Sequence, residues 1–275
     1  MTSDSPRSTN APVGVFDSGV GGLSVLREIR KALPHDDLLY VADSGAAPYG
    51  DRPGEFIAAR AEAITRFFIS QGVKAMVVAC NTATAMAIRS LRSQFDIAIV
   101  AIEPAVKPAA ALTRSGIIGI LATSQTLASK PFLRLAEKHG GGAKIHTQAC
   151  PELVACVERG ELDSANTCVW VEHYVMPLLT QGADTLVLGC THYPFLAPVI
   201  RDIAGPSVTI VDPAAAVAKE LHRRLTTGKL LSRNNAGGTE RFWTSGSRKP
   251  VQAVITQLWG QPVKMHALPA PYSTR

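Results

Sequence analysis

Ala75-Met76-Val77-Val78-Ala79-Cys80-Asn81-Thr82-Ala83-Thr84 and Thr185-Leu186-Val187-Leu188-Gly189-Cys190-Thr191-His192-Tyr193-Pro194 are two versions of one pattern. In each, a short apolar run leads into a cysteine followed by threonine and other polar residues. Such a run reads as a strand buried on both faces of a parallel sheet. Each cysteine then falls where a strand ends and a loop begins, which is where open parallel sheets bind ligands. Two thiols in matching positions predict one reaction centre with a cysteine on either side.

The surroundings repeat as well. Val13-Gly14-Val15-Phe16-Asp17-Ser18 opens the first half and Ile118-Gly119-Ile120-Leu121-Ala122-Thr123-Ser124 the second. Later, Ala98-Ile99-Val100-Ala101-Ile102-Glu103-Pro104 is echoed by Val208-Thr209-Ile210-Val211-Asp212-Pro213. Strand-like runs alternate with helical periodicity throughout, including Leu23–Leu33, Phe56–Ser70, Gln125–His139, Thr167–Gln181, Ala214–Leu225 and Val251–Trp259. The fold class expected is α/β: two similar domains, each a mainly parallel sheet flanked by helices, facing each other with the active site between them. Residues 12–104 plus 213–262 form the first domain, because a lone helix–strand–helix end cannot bury itself. Residues 105–212 form the second. Residues 1–11 read as a disordered tail and 263–275 as a flexible one.

Composition bounds the function. With 275 residues, 46% apolar and 18% charged, the chain can bury a sizeable core and is not a disordered segment. No run reaches the roughly 18 apolar residues that span a bilayer, and the polar first residues lack a signal-peptide core. The expectation is a cytoplasmic protein. Its five cysteines, with no CxxC spacing, read as reduced thiols. The net charge of +6 is uneven, since residues 219–275 hold 10 of the 28 Lys/Arg and only 2 of the 22 Asp/Glu. No aromatic-basic interleaving accompanies this basic end. It reads as solvated helix faces rather than a nucleic-acid site.

The residues that carry chemistry cluster at strand ends. A helix N-terminus stabilises a thiolate, so Cys80 and Cys190 are expected to have pKa values lowered toward neutrality, with Thr82 or Thr84 capping the helix after Cys80. Asp17-Ser18-Gly19-Val20-Gly21-Gly22 lacks the dinucleotide-binding spacing, but its amides can receive a small carboxylate. Asp17 can take a substrate ammonium, orient a thiol, or cap the following helix. His192 can relay protons to Cys190. Alternatively Cys190, His192 and Cys80 can be read as zinc ligands, although no metal-site spacing is visible and no metal is assigned. Tyr49-Gly50 offers a phenol and a bare amide, or an ordinary turn. Glu158 is not distinguished locally from a surface acid. Cys150, Cys156 and Cys168 read as structural.

Taken together, Gly14 to Gly22, Pro48-Tyr49-Gly50, Cys80 to Thr84 and Gly189-Cys190-Thr191-His192-Tyr193-Pro194 resemble the glutamate racemase family, of the aspartate/glutamate racemase superfamily, in order and over about residues 12 to 260. The resemblance implies interconversion of L- and D-glutamate without a cofactor, supplying D-glutamate for peptidoglycan, by an enzyme that forms a homodimer. It implies that Cys80 and Cys190 are the two acid-base residues, Cys80 acting on the D-enantiomer and Cys190 on the L-enantiomer. Asp17 would assist Cys80, and His192 with Glu158 would assist Cys190. Asp17, Ser18, Tyr49, Gly50, Asn81, Thr82, Thr191 and His192 would bind substrate. Two positions depart from the family pattern. Val41-Ala42-Asp43-Ser44-Gly45 replaces the usual Gly-Asp-Thr wording, and Glu152 stands where an apolar residue is more usual, leaving Glu152 as the competitor of Glu158 for the acidic role. Competing functions are an aspartate racemase, a cysteine hydrolase using Cys190 and His192, and a non-catalytic binding protein using the basic end.

Overall fold

A computed structural model describes residues 8–273. The chain begins with β1 (Val13–Asp17), α1 (Leu23–Ala32), β2 (Leu38–Ala42), α2 (Gly54–Ser70), β3 (Ala75–Val78), α3 (Asn81–Gln94) and β4 (Ala98–Ala101). The second unit follows with α4 (Val106–Leu112), β5 (Ile117–Ala122), α5 (Ser124–Ala128), α6 (Lys130–His139), β6 (Lys144–Ala149), α7 (Pro151–Glu158), α8 (Ala165–Thr180), β7 (Thr185–Leu188), α9 (Ala197–Ala204) and β8 (Thr209–Val211). The chain then returns through α10 (Ala214–Thr227), β9 (Glu240–Thr244), α11 (Arg248–Trp259) and β10 (Met265–Ala267).

Two sheets result, both parallel throughout. One has the order β10-β9-β2-β1-β3-β4 and the other β6-β5-β7-β8. Without β9 and β10, the first reads β2-β1-β3-β4, which is the order of the second, strand for strand. The repeat seen in the sequence is therefore a repeat of topology. The two glycines that open it do the same work. A Cβ on Gly14 would lie 2.7 Å from the Phe68 ring of α2, and one on Gly119 would lie 2.7 Å from Leu186 and 2.9 Å from Leu178 of α8. In each unit a bare backbone in the first strand lets the same crossover helix pack close. The inner strands β1, β2, β3 and β7 are buried on both faces, as covered parallel strands must be. None of the described helices is long and apolar enough to cross a membrane.

Local chemistry explains several departures from the sequence reading. The helix expected over Gln125–His139 is two helices. Ser129 breaks it, accepting from the Phe132 N–H as the cap of α6, while Pro131 has no N–H to extend α5. Helix α4 begins at Val106 and holds Pro108 in its first turn, where a proline loses no helical bond. Of the flexible tail expected over 263–275, residues 274–275 lie outside the described residues, and for 263–273 the expectation is corrected. Met265–Ala267 pairs in parallel with β9, Leu268 donates its N–H to the Thr244 carbonyl at 2.7 Å, and the Tyr272 ring lies 5.7 Å from that of Phe67. An open strand edge and three apolar side chains give this segment a place on the first sheet. Of the tail expected over 1–11, residues 1–7 lie outside the described residues. Residues 8–11 form a turn, with the buried Lys74 ammonium bonded to the Thr9 carbonyl.

Candidate active site

The carboxyl ends of β1, β2, β3, β5 and β7 point into one cavity between the sheets. Its lining includes Ser18, Tyr49, Gly50, Cys80, Asn81 and Thr82 from the first unit and Thr123, Glu158, Cys190, Thr191 and His192 from the second. Ten of the eleven residues named from the sequence are on its wall. The exception is Asp17, which is completely buried behind it.

Cys80 follows β3 and is itself the N-cap of α3, in place of the expected threonine. Its sulfur accepts from the Ala83 N–H at 3.4 Å, and its thiol donates to Ser18 Oγ at 3.6 Å. The lowered pKa expected from the helix terminus is not found. Burial, followed by the nearby Asp17 charge, pushes the Cys80 thiol up to about 12, against the smaller pull of the Ala83 and Ser18 hydrogen bonds.

Cys190 has a different environment. It precedes the single 3-10 turn Tyr193–Leu196 instead of a full helix, and its sulfur faces His192 Nδ1 at 3.5 Å. The other ring nitrogen, Nε2, is 2.7 Å from Glu158 Oε1. Burial opposes charge on His192, but the Cys190 sulfur and the Glu158 carboxylate outweigh it and hold its pKa well above the ordinary histidine value. The dyad is locked to the opposite unit by the Val20 N–H, which donates to the same Glu158 oxygen at 2.8 Å.

The glycine-rich loop makes this approach possible. A Cβ on Gly19 would lie 1.8 Å from Glu158 Oε1, and one on Gly21 would lie 2.4 Å from His192 Nδ1. The loop does not offer its first amides to a ligand, as the sequence suggested, because Gly19 N–H donates to Asp17 Oδ2 at 3.0 Å and Val20 N–H to Glu158. Asp17 does not cap α1, whose N-cap is Gly22. Instead its Oδ1 accepts from the Thr191 hydroxyl at 3.1 Å, tying the end of β1 to the Cys190 loop. Burial raises the Asp17 pKa, with His192 opposing. Ser24 adds a second tie, donating its hydroxyl to the Thr191 carbonyl at 2.9 Å.

Asn81 is buried on the wall with neither amide atom bonded within the protein. A buried amide without partners is costly unless something polar occupies the cavity beside it. Thr82, after β3 of the first sheet, and Thr123, after β5 of the second, bond to each other at 2.9 Å, and Thr126 joins both hydroxyls. Of the two candidate acids, Glu158 reaches His192, whereas Glu152 pairs with the Tyr174 hydroxyl. Among the described residues no group of three His, Cys, Asp or Glu side chains is placed to hold a metal ion.

Thr123 was not singled out in the sequence, although a signal was present. The echo that aligns Gly14 with Gly119 aligns Ser18 with Thr123. Ser124, Pro151 and Val154 also line the cavity and carried no local signal.

Comparison with known proteins matches residues 14–221 to the family model described as Asp/Glu/Hydantoin racemase. The chain is 52% identical over 262 residues to the glutamate racemase of Methylococcus capsulatus, covering 95% of this chain and 97% of the relative. It superposes on the crystal structure of glutamate racemase isoform RacE1 from Bacillus anthracis with a TM-score of 0.86 and 32% identity, covering 96% of this chain and 99% of the other. For the Francisella tularensis glutamate racemase in complex with D-glutamate, the TM-score is 0.83 at 26% identity, with 95% and 98% covered.

Proposed function

The chain belongs to the Asp/Glu/Hydantoin racemase family, and from that premise we propose that it interconverts L- and D-glutamate by taking the Cα proton onto one cysteine and delivering a proton to Cα from the other. The observation that carries this reading is that Cys80 and Cys190, contributed by equivalent strand ends of opposed units, line the same cavity.

With L-glutamate bound, the Cys190 sulfur, as thiolate, removes the Cα proton and becomes a thiol. The Cys80 thiol gives its proton to the opposite face of Cα and becomes a thiolate. One C–H bond breaks and one forms, and the product is D-glutamate; the reverse direction exchanges the roles. The raised Cys80 pKa suits it to begin as the proton donor. His192, held as imidazolium against Glu158, supplies the positive partner that a Cys190 thiolate requires. Asp17 lies behind Cys80 and orients Thr191. The carbanion-like transition state needs donors in a dry cavity. Asn81, Thr82, Thr191 and Ser18 are the groups available to hold the substrate, with the Tyr49-Gly50 turn on the wall beside them. Because the two sulfurs provide both acid and base, the reaction calls for no cofactor.

We infer that the D-glutamate feeds peptidoglycan synthesis, that the enzyme works as a homodimer, and that it does so in the cytoplasm, where catalytic thiols stay reduced. The test of the chemistry is incubation of L-glutamate in D₂O with enzyme alone. Deuterium at Cα with decay of optical rotation to zero is the expected result. Retained rotation with no incorporation would sink the racemase reading.

A further inference from the structure

One wall of the cavity is the 3-10 turn Tyr49–Asp51, which has no side-chain cap. Its anchor is the Tyr49 phenol, which is buried and donates to Asp43 Oδ2 at 2.5 Å. Asp43, just past β2, is fully buried and also takes a two-pronged grip from Arg60 of α2. Arg60 Nε donates to Oδ2 at 2.9 Å and Nη2 to Oδ1 at 2.8 Å. Nη2 donates again to the Tyr272 carbonyl at 2.8 Å. A carboxylate removed from water persists only with such partners, and a planar guanidinium satisfies two oxygens and a carbonyl at once where an ammonium would not. A continuous bonded chain therefore runs from the C-terminal segment, through α2 and the end of β2, to the substrate wall. Neither Asp43 nor Arg60 lines the cavity.

We propose that Arg60 and Asp43 are positioning residues that, locked by the Tyr272 main chain, hold Tyr49 and with it the Tyr49–Asp51 turn against the substrate. The network sets substrate affinity and leaves proton transfer to the cysteines. It rests on the reading that this cavity binds glutamate. It also gives the C-terminal segment, remote in sequence from both cysteines, a part in binding.

The experiment is steady-state racemisation of L-glutamate by the full chain and by Tyr49→Phe, Arg60→Gln, the double variant and a chain ending at Pro271. Tyr49→Phe strands no buried charge, because Asp43 keeps Arg60, so it carries the test if Arg60→Gln does not fold. Losing one hydrogen bond to a charged group predicts a KM about tenfold higher, with kcat reduced by less than about threefold. The double variant should be no worse than the more severe single one, since both cut the same chain. A role in stability alone would lower the thermal midpoint and the active fraction while leaving KM unchanged. An unchanged KM in Tyr49→Phe and in the shortened chain, or additive effects in the double variant, would overturn the proposal. Failure of the unsubstituted enzyme to racemise would instead strike at the reading it rests on.

Discussion

Replacing Cys80 with serine separates the two halves of the reaction. Serine keeps an acceptor for the Ala83 N–H, so the α3 cap survives, and the loss of about 1 kcal/mol expected from removing a cap is avoided. The chemical loss is larger. Positioned acid-base groups contribute about 10²–10⁴-fold, and the polar neighbour at the Cys80 sulfur is the Ser18 hydroxyl, a much weaker acid than a thiol. Racemisation should therefore fall by about 10³-fold in both directions. Cys190, His192 and Glu158 remain intact. Glu158 keeps about a fifth of its side chain exposed, so protons on the Cys190 side can exchange with solvent through His192. In D₂O the variant should thus replace the α-hydrogen of L-glutamate with retention of configuration and leave D-glutamate untouched. Proton NMR of the α-signal, read beside circular dichroism, follows both events in one sample. Exchange of both enantiomers at equal rates, or racemisation within tenfold of the unsubstituted enzyme, would refute the assignment of one sulfur to each face.

Three further outcomes follow from the same geometry. Glu158→Gln can keep the bonds to Val20 and His192 but removes the charge that holds the imidazolium. Its kcat/KM should drop by about tenfold or more, equally in the two directions, as polarimetry from each pure enantiomer would check. Gly21→Ala drives a Cβ to 2.4 Å from His192 Nδ1, whereas Gly50→Ala meets Thr123 at 3.3 Å. The first should lose about 10²-fold of activity by displacing the ring from Cys190 and the second far less; comparable losses in assays of the two folded variants would contradict the model of a close-packed dyad. The pKa of Cys80 is pushed up from 9.0 to about 12 on folding, so between those pH values the unfolded chain releases a proton that the folded chain keeps. Stability from this group is present below the lower value and declines as pH rises through the window. Urea midpoints should therefore fall with alkalinity more steeply for the unsubstituted protein than for Cys80→Ser, and parallel curves would sink the assignment.

Much of the site was legible because its parts sit at strand ends, and strand ends are written locally. The run before Cys80 or Cys190 is apolar, the residues after it are polar, and the switch marks both the boundary and the chemistry. What was not legible depends on distance in the chain. Glu158 meets Val20 across 138 positions and His192 across 34, and nothing on α7 marks that face as functional; only the resemblance pointed to it. Asp43 and Arg60 lie on different elements and pair because of how α2 packs over β2. A three-residue strand such as β10 is too short for periodicity to reveal, and its place is decided by the edge that β9 leaves open. The Cys80 pKa runs opposite to the sequence expectation for a related reason. The helix terminus is local and visible in sequence, but burial is a tertiary property, and here it is the stronger influence.

The scaffold is close to symmetric and its chemistry is not. Matched strand orders bring two cysteines, one from each unit, to the wall of one cavity, yet Cys80 is paired with a hydroxyl and Cys190 with an imidazole–carboxylate dyad. This inequality is permitted by thermodynamics. Enantiomers have equal free energy in water, so a racemase must have the same kcat/KM in both directions whatever its two bases look like. Only the separate values of kcat and KM are free to differ, because they depend on which protonation state the empty enzyme must adopt to receive each hand. A pocket that rests with a protonated Cys80 is ready for the enantiomer whose hydrogen faces Cys190. It must pay a proton rearrangement before accepting the other. On the proposed two-cysteine reading, the unlike neighbours of the two sulfurs divide the cost of that rearrangement between binding and turnover, while the repeated fold contributes one sulfur from each unit to the same cavity.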